Sequence, residues 1–352
     1  MPANPVHVRP AELGYRMPAE WAPHQATWLS WPHREATWPG KFEPIPSVMA
    51  ELVAALVPSE HVHINVNDDQ MATEVRALLA AAGVTSGYTL HPFPTNDAWC
   101  RDHGSLFVTR EVTGHNELAA VHFGYNAWGQ KWSPWTSDEQ IPRLMARELS
   151  VPSFDGGMIL EGGSGDVDGA GLLLTTEACL LNPNRNPELT REQIEGRLRD
   201  ALGIEKILWL AGGIEGDDTD GHVDDVTRFV DHHTVVTALE DDPTDVNYAV
   251  LQENLRRLTN MTGLHGHPLE VIALPMPGKV AYQGQRLPAS YANFYVANRV
   301  VIVPTYRHPH DARAQAILQE LFPGRDVIGI DAWDLIWGRG AFHCLTQQVP
   351  AL

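Results

Sequence analysis

The chain has 352 residues, 43% of them apolar, which is enough for one large domain or two smaller ones with a sizeable core. The 44 Asp and Glu residues outnumber the 25 Lys and Arg residues, so the net charge is −19 with His neutral. An acidic surface repels phosphate backbones and attracts cations, so we expect no nucleic-acid partner and favour a positively charged ligand.

Cysteine use and hydropathy limit the compartment. Cys100, Cys179 and Cys344 form no CxxC pair, which argues against a disulfide scaffold or a zinc ribbon and fits a reducing compartment. The first ten residues, MPANPVHVRP, lack the cationic and apolar regions of a secretion signal. No apolar run approaches the roughly 18 residues of a membrane helix. We therefore expect a cytoplasmic protein without a membrane partner.

Runs rich in β-branched residues and flanked by Gly, Pro or Asn alternate with helical stretches along the whole chain. The predicted strands are 26–31, 61–66, 105–109, 119–123, 171–176, 206–210, 234–239 and 300–304. The predicted helices are 45–56, 69–82, 138–149, 190–202, 245–261 and 311–322. Thr190 and Gln193 predict a capping box, and Asp311 is predicted to cap the last helix. No low-complexity linker divides the chain, so we predict one α/β domain over 1–352, with elements recurring about every 50–60 residues.

The segment 95–104, TNDAWCRDHG, places two acids, an Arg and Trp99 just before a predicted strand. On its own it fits an Asx-turn with a surface salt bridge equally well. The segment 161–164, EGGS, joins Glu161 to two glycines that would let the backbone approach a ligand, although a plain turn explains it too. The nearby 166–169 reads as a hairpin turn.

The segment 217–225, DDTDGHVDD, is the most acidic stretch with a histidine. On an extended backbone His222 and Asp224 would point to the same face, where they would supply a proton shuttle and a carboxylate for a cation. An EF-hand is excluded, because counting from Gly221 puts Gly216 at position 1 and Thr227 at position 12. A solvated acidic loop remains the alternative.

The segment 338–348, GRGAFHCLTQQ, delivers Cys344 beside a histidine after a glycine-rich turn. A buried apolar cysteine is the alternative for Cys344, and we expect Cys100 and Cys179 to be of that kind.

Together these segments resemble the agmatine deiminase family, within the wider group of guanidino-group-modifying enzymes. The resemblance covers nearly the whole chain and rests on motifs that occur in the family's order. These motifs are 14–21 (GYRMPAEW), 96–104 (NDAWCRDHG), 161–164 (EGGS), 181–187 (LNPNRNP), 220–225 (DGHVDD) and 343–348 (HCLTQQ). The resemblance implies the pentein fold, a pseudo-fivefold α/β propeller of ββαβ units around a central substrate channel.

The resemblance also implies a catalytic set of Asp102, Glu161, His222, Asp224 and Cys344. Asp102 and Asp224 would grip a guanidinium, Cys344 would attack its carbon, and His222 would move protons. Glu161 would keep His222 oriented and protonated. The products from agmatine would be N-carbamoylputrescine and ammonia, on a route to putrescine and polyamines, and no metal or organic cofactor is expected.

The remaining substrate contacts are less firmly indicated. Trp99 matches a position that lines the pocket, Trp99 and Trp128 would offer cation–π faces to the distal amine, and Asp218 would offer it a carboxylate. The loop before the cysteine departs from the family's Gly-Gly-Gly-Asn, because Arg339 precedes Gly340 and Ala341. If Arg339 faces the channel, it would bind a substrate carboxylate; if it pairs with a neighbouring acid, agmatine stays the substrate.

Three other functions remain open from the sequence. An amidinotransferase would share the covalent half-reaction, a Cys–His peptidase would use His222 and Cys344, and a binding protein would hold polyamines or a cation on the 217–225 loop. We expect a homo-oligomer, either a dimer or a tetramer.

Overall fold

A computed structural model describes residues 9–352. The start of the chain, where the absence of a secretion signal was predicted, lies largely outside the described residues. Within residues 9–352, no helix combines the length and apolar character required to cross a bilayer.

Eighteen strands are described in chain order. They are β1 His24–Ser30, β2 His61–Asn65, β3 Tyr88–His91, β4 Leu106–Val112, β5 His115–Gly124, β6 Ser153–Ile159, β7 Gly165–Val167, β8 Leu172–Thr176, β9 Lys206–Leu210, β10 Thr227–Phe229, β11 Thr234–Leu239, β12 Glu270–Pro275, β13 Ala281–Tyr282, β14 Gln285–Arg286, β15 Tyr295–Val296, β16 Val300–Thr305, β17 Asp326–Asp331 and β18 Thr346–Pro350. The α-helices are α1 Ile45–Leu56, α2 Asp69–Ala81, α3 Cys100–His103, α4 Ala127–Gln130, α5 Ile141–Glu148, α6 Glu177–Leu180, α7 Arg191–Leu202, α8 Tyr248–Thr259, α9 His310–Leu321 and α10 Phe342–Leu345.

Five small sheets share one strand pattern. In each, an antiparallel pair is extended by a strand parallel to its second member, as in β4–β5–β6, β7–β8–β9, β10–β11–β12 and β15–β16–β17. The fifth sheet pairs the last strand, β18, antiparallel with β1, and β2 and β3 follow in parallel. The C-terminal strand therefore completes the sheet that the N-terminal strand begins, which closes the ring of units.

A helix of eight or more residues connects each pair of adjacent parallel strands, as a parallel pair requires a crossover. These helices are α1, α5, α7, α8 and α9, with α2 as a second crossover between β2 and β3. Four units therefore read ββαβ, and the unit that contains β18 and β1–β3 extends this order by one more helix and strand. Each packs one apolar face against its sheet; α7, for example, buries Ile194, Leu198, Ala201 and Leu202. The predicted pseudo-fivefold α/β architecture is confirmed.

All eight predicted strands and all six predicted long helices are present, with ends shifted by a few residues. The capping box of α7 is also confirmed, since Thr190 and Gln193 exchange side chain-to-backbone hydrogen bonds. The predicted cap at Asp311 is wrong, because α9 already begins at His310 and Asp311 lies in its first turn. Its carboxylate instead accepts hydrogen bonds from the backbone N–H groups of Tyr306 and His308, which precede the helix.

The predicted catalytic residues all lie in connections between successive sheets, of which there are five. They run from β3 to β4, from β6 to β7, from β9 to β10, from β12 to β15 and from β17 to β18. These connections meet in one buried region, where α3 contacts α10 and also the 3-10 turn Gly162–Ser164.

Candidate active site

Cys344 lies on α10, is 5% exposed, and lines a cavity of about 220 Å³. Its Sγ accepts a hydrogen bond from Asn293 Nδ2 at 3.1 Å and lies 3.5 Å from Asp224 Oδ2. Asn293 Oδ1 also accepts from the backbone N–H groups of His343 and Cys344, which fixes the loop. Burial, followed by the charges of Asp224, Asp225 and Asp102, raises the pKa of the Cys344 thiol well above its ordinary value.

Asp102, on α3, is held by two donors. Trp128 Nε1 donates to its Oδ2 at 2.9 Å, and the backbone N–H of Gly163 donates to its Oδ1 at 3.0 Å. Burial raises the pKa of Asp102 to about 6, against the opposing pull of His222. The two donors therefore fix the orientation of the Asp102 carboxylate, but the charge of His222 does not fully offset the effect of burial on its pKa.

Asp224 lies between Cys344 and His343. Its Oδ2 is 2.7 Å from His343 Nδ1, while its Oδ1 has no hydrogen-bond partner among residues 9–352. Burial alone would raise the pKa of Asp224, but the hydrogen bond and charge of His343 bring it below its ordinary value. Asp224 is thus an ionised carboxylate with one free oxygen.

The missing side chain of Gly163 opens the space between the predicted residues. A Cβ at this position would lie 2.6 Å from His222 Nδ1, 2.9 Å from Asp102 Oδ1 and 2.9 Å from Asp224 Oδ2. Two carboxylates and an imidazole therefore face one point that only glycine leaves clear.

His222 is fully buried, with Nδ1 at 3.7 Å from Asp102 Oδ1 and 4.0 Å from Asp224 Oδ1. Burial alone would lower the pKa of His222, but Asp102, Cys179 and Asp224 together raise it well above its ordinary value. These neighbours therefore favour the protonated form of the ring. The predicted extended backbone is wrong, because a 3-10 turn, Val223–Asp225, follows His222; the two side chains nevertheless converge.

Glu161 is fully buried beside His222 without a hydrogen bond to it. Its Oε1 accepts from Arg185 Nε at 2.6 Å, and Oε2 has no partner within the described part of the chain. Arg185 also binds Asp220 Oδ2 at 2.6 Å. A direct Glu161–His222 hydrogen bond, which the predicted orienting role suggests, is absent from residues 9–352, so any effect on the imidazole acts through charge.

A buried charge network that the sequence reasoning missed stands behind Asp224. His343 Nε2 lies 2.8 Å from Glu20 Oε2, and the same carboxylate contacts Arg228 at 3.0 Å and Arg101 at 3.3 Å. Burial opposes the charge of Glu20, but Arg228 and His343 hold the pKa of Glu20 well below its ordinary range. Glu20 lies within the motif 14–21 and His343 within 343–348, so both were inside recognised segments without an assigned role.

Four tryptophans and three acids surround the cavity above Cys344. The lining includes Trp99, Trp128, Trp132, Trp337, Asp97, Asp102 and Asp218. Gly340 also lines it, and a Cβ there would lie 2.5 Å from the Trp99 ring, so this glycine lets the indole pack against the nucleophile loop. Flat aromatic faces with carboxylates suit an elongated cation.

Arg339 and Asp218 lie together at the cavity. The Arg339 guanidinium donates to the Gly216 carbonyl at 2.9 Å and to Gln285 Oε1 at 3.0 Å, with Nε 3.8 Å from Asp218 Oδ2. Asp218 also accepts from Trp132 Nε1 at 2.9 Å. Arg339 therefore lines the cavity and also has an acidic neighbour. The structure fits both alternatives for this residue, which are a contact with a substrate carboxylate and pairing with a nearby acid.

Comparison with known proteins gives the family. The Porphyromonas-type peptidyl-arginine deiminase family matches residues 16–350, and the chain belongs to it. The chain is 38% identical over 369 residues to "Agmatine deiminase" of Pseudomonas fluorescens, with 98% of each chain covered. It is 36% identical to "Putative agmatine deiminase" of Latilactobacillus sakei, with 97% of this chain and 98% of that one covered.

Solved structures agree. The agmatine deiminase of Enterococcus faecalis superposes with a TM-score of 0.92 at 32% identity, covering 98% of both chains. A Cys-to-Ser variant of C. jejuni agmatine deiminase with substrate bound gives a TM-score of 0.86 at 30% identity, covering 95% of this chain and 96% of that chain. The predicted family and fold are confirmed.

Proposed function

We propose that this chain is an agmatine deiminase, which hydrolyses the guanidinium of agmatine to N-carbamoylputrescine and ammonia. The observation that carries the proposal is that His222, Asp102 and Asp224 face one point beside Gly163. Asp224 also lies 3.5 Å from Cys344 Sγ, and Cys344 and Asp102 line an acidic, tryptophan-rich cavity. The names of the relatives support the same substrate.

Binding depends on the two carboxylates. Asp102 and Asp224 each direct an oxygen to the space beside Gly163, where a planar guanidinium would donate charge-assisted hydrogen bonds to both. A guanidinium carbon is a poor electrophile because its charge is delocalised, so fixing it beside the sulfur is a large part of the catalysis.

The substrate cation would activate its own nucleophile. The acids that hold the Cys344 thiol protonated are the ones that the guanidinium would neutralise, so binding favours the thiolate, which is the reactive form. The thiolate attacks the carbon to give a tetrahedral intermediate. His222, whose protonated form is favoured by the neighbouring acids, donates a proton to the leaving amine, and ammonia departs.

The second half-reaction resolves the covalent alkylthiouronium. His222, now neutral, accepts a proton from water, the hydroxide adds to the same carbon, and the C–S bond breaks to release the ureido product. Glu161 would favour the protonated imidazole through its charge rather than through a hydrogen bond.

The far end of the substrate distinguishes agmatine from carboxylated guanidines. Trp99 and Trp128 would face the aliphatic chain and amine, Gly340 would leave room for them, and Asp218 would receive the ammonium. Arg339 is already bonded to a carbonyl and an amide and lies near Asp218, so little of its charge is free for a substrate carboxylate.

A screen of ammonia release over agmatine, arginine, guanidinobutyrate and guanidinopropionate tests the substrate. Agmatine is expected to give the highest kcat/KM, and faster turnover of the two guanidino acids would refute agmatine. Arg339→Gly is the informative variant, because Arg339 has φ 70° and glycine adopts this backbone without strain. Agmatine turnover is expected to survive in Arg339→Gly; loss of guanidino acid turnover with gain for agmatine would assign Arg339 to a carboxylate.

We further propose that residues 1–352 act as one cytoplasmic domain in a homo-oligomer, on a route from agmatine to polyamines. Three cysteines without a CxxC pair support the reducing compartment in this proposal.

A further inference from the structure

A second buried cysteine lies next to the proposed proton shuttle. One ligand atom each from Glu161, Cys179 and His222 lie within 4.8 Å of one another, and all three residues are buried. Cys179 is one of the groups that raise the pKa of His222, but no bond-forming step of the mechanism above uses its sulfur, and it forms no disulfide in the structure.

Glu161 and His222 both carry potential metal-ligand atoms that form no hydrogen bond within the described part of the chain. Glu161 Oε2 and both ring nitrogens of His222 are buried and lack hydrogen-bond partners within residues 9–352. Buried polar atoms are usually satisfied, so unpaired atoms that converge on a thiol indicate capacity for a ligand. A carboxylate oxygen, an imidazole nitrogen and a thiolate are ligands that zinc uses in proteins.

The three side chains are carried on fixed backbone. Cys179 lies on α6, whose N-cap Thr176 accepts from the Cys179 N–H and donates to the Gly221 carbonyl, next to His222. Glu161 is fixed through its other oxygen by Arg185. Ligands held by rigid elements need only small shifts to reach metal distances of about 2.0–2.3 Å.

Charge also favours a cation at this position. Arg185 is a nearby positive group besides the imidazolium of His222, and Glu161 and Asp220 balance the charge of Arg185, at 2.6 Å each. Asp102 and Asp224 add negative charge on the other side of the imidazole.

We propose that Glu161, Cys179 and His222 form an inhibitory binding site for zinc and similar soft divalent cations. The thiol of Cys179 and the imidazolium of His222 each release a proton to solvent as the ion binds, and water completes a four-coordinate shell. Because the site takes up the imidazole, the bound ion blocks proton transfer without contacting Cys344.

Zinc titration of the full chain during agmatine turnover tests the inhibition, in wild type and in Cys179→Ala. Relative to its own zinc-free rate, the variant is expected to need at least about tenfold more zinc for half-inhibition, which corresponds to about 1.4 kcal/mol. Cys100→Ala is the matched control, since Cys100 is also a fully buried free cysteine but lies outside the cluster; its zinc sensitivity should equal wild type. Equal zinc sensitivity in Cys179→Ala and wild type would overturn the proposal.

Cobalt(II) absorption provides a second measurement that needs no turnover, so it stands even if agmatine is not the substrate. A thiolate-to-cobalt charge-transfer band is expected in wild type and in Cys344→Ser, and it should be absent from Cys179→Ala and from the closer isostere Cys179→Ser. A band that disappears in Cys344→Ser and persists in the Cys179 variants would place the ion on the nucleophile and refute the site.

Discussion

Replacing Asp224, a carboxylate beside Cys344, should make the Cys344 thiol of the free protein react faster with alkylating reagents. The same replacement should lower the rate of turnover. Asp224 Oδ2 lies 3.5 Å from Cys344 Sγ, and its charge is the largest electrostatic contribution that raises the pKa of the thiol. The variant Asp224→Asn keeps the shape of the side chain and removes the charge. We expect faster alkylation of Cys344 by iodoacetamide, together with loss of turnover, because the guanidinium loses one of its two carboxylates.

The magnitude follows from Coulomb's law. Two unit charges 3.5 Å apart repel by about 5 kcal/mol at an effective dielectric constant of about 20. About 1.4 kcal/mol changes an equilibrium tenfold, so relief of even about a third of this repulsion raises the thiolate fraction by at least about tenfold. Alkylation rates at fixed pH, read by mass spectrometry of the Cys344 peptide, measure this fraction at pH values where the wild-type thiol is protonated.

The matched control is Asp218→Asn, an acid that lines the same cavity but contacts Trp132 and Arg339 instead of the sulfur. Its alkylation rate should stay within about twofold of wild type, since screened charges at a distance have little effect. If Asp224→Asn is alkylated no faster than wild type between about pH 7 and pH 9, the acids do not hold the thiol protonated and substrate-assisted activation is wrong.

Four further outcomes are expected. Cys344→Ala should release no ammonia while keeping its circular dichroism spectrum and melting temperature; residual turnover would reject the nucleophile. Agmatine binding, measured by calorimetry with Cys344→Ala, should weaken by about 2–5 kcal/mol when Asp102→Ala is added. In the wild-type protein, kcat/KM should fall below about pH 6 as Asp102 takes up a proton; a flat acidic limb would contradict the raised pKa of Asp102. Glu20→Gln should lower the free energy of unfolding in urea by about 3–5 kcal/mol, because Arg101 and Arg228 lose a buried counter-charge; an unchanged midpoint would show that the network is not stabilising.

Local sequence patterns predicted the long elements well. Strands such as β11 and helices such as α7 combine dense apolar periodicity with clear caps or turns, so their existence follows from local chemistry. The strands that were missed are mostly short or polar: β7 has three residues, and β14 consists of Gln285 and Arg286 alone. Such strands are stabilised by their neighbours in the sheet and carry little signal of their own.

The site was predictable where motifs carried it and unpredictable where contacts between distant segments decide the role. Asp102 and Cys344 stand in recognisable segments, but Asn293 lies in a stretch with no motif and acts only because the fold brings its amide to the sulfur. Arg185 lies within the motif 181–187, but its role depends on the fold, which brings it to the Glu161 carboxylate 24 residues away. Sequence periodicity reports burial and secondary structure, whereas partner choice across such distances depends on topology.

The fivefold pattern supplies the rule that local reasoning lacked. Each of the five connections between successive sheets delivers at least one polar group to the cluster around Cys344: Asp102, Glu161, the pair His222 and Asp224, Asn293, and Cys344 itself. Because each unit repeats the same strand order, its connection ends in the same part of the ring. Four of these connections were recognised from their motifs, and the repeat indicates that the fifth, between β12 and β15, reaches the same region. Asn293 occupies that place, and its amide joins the nucleophile loop to Asp225 in the neighbouring connection.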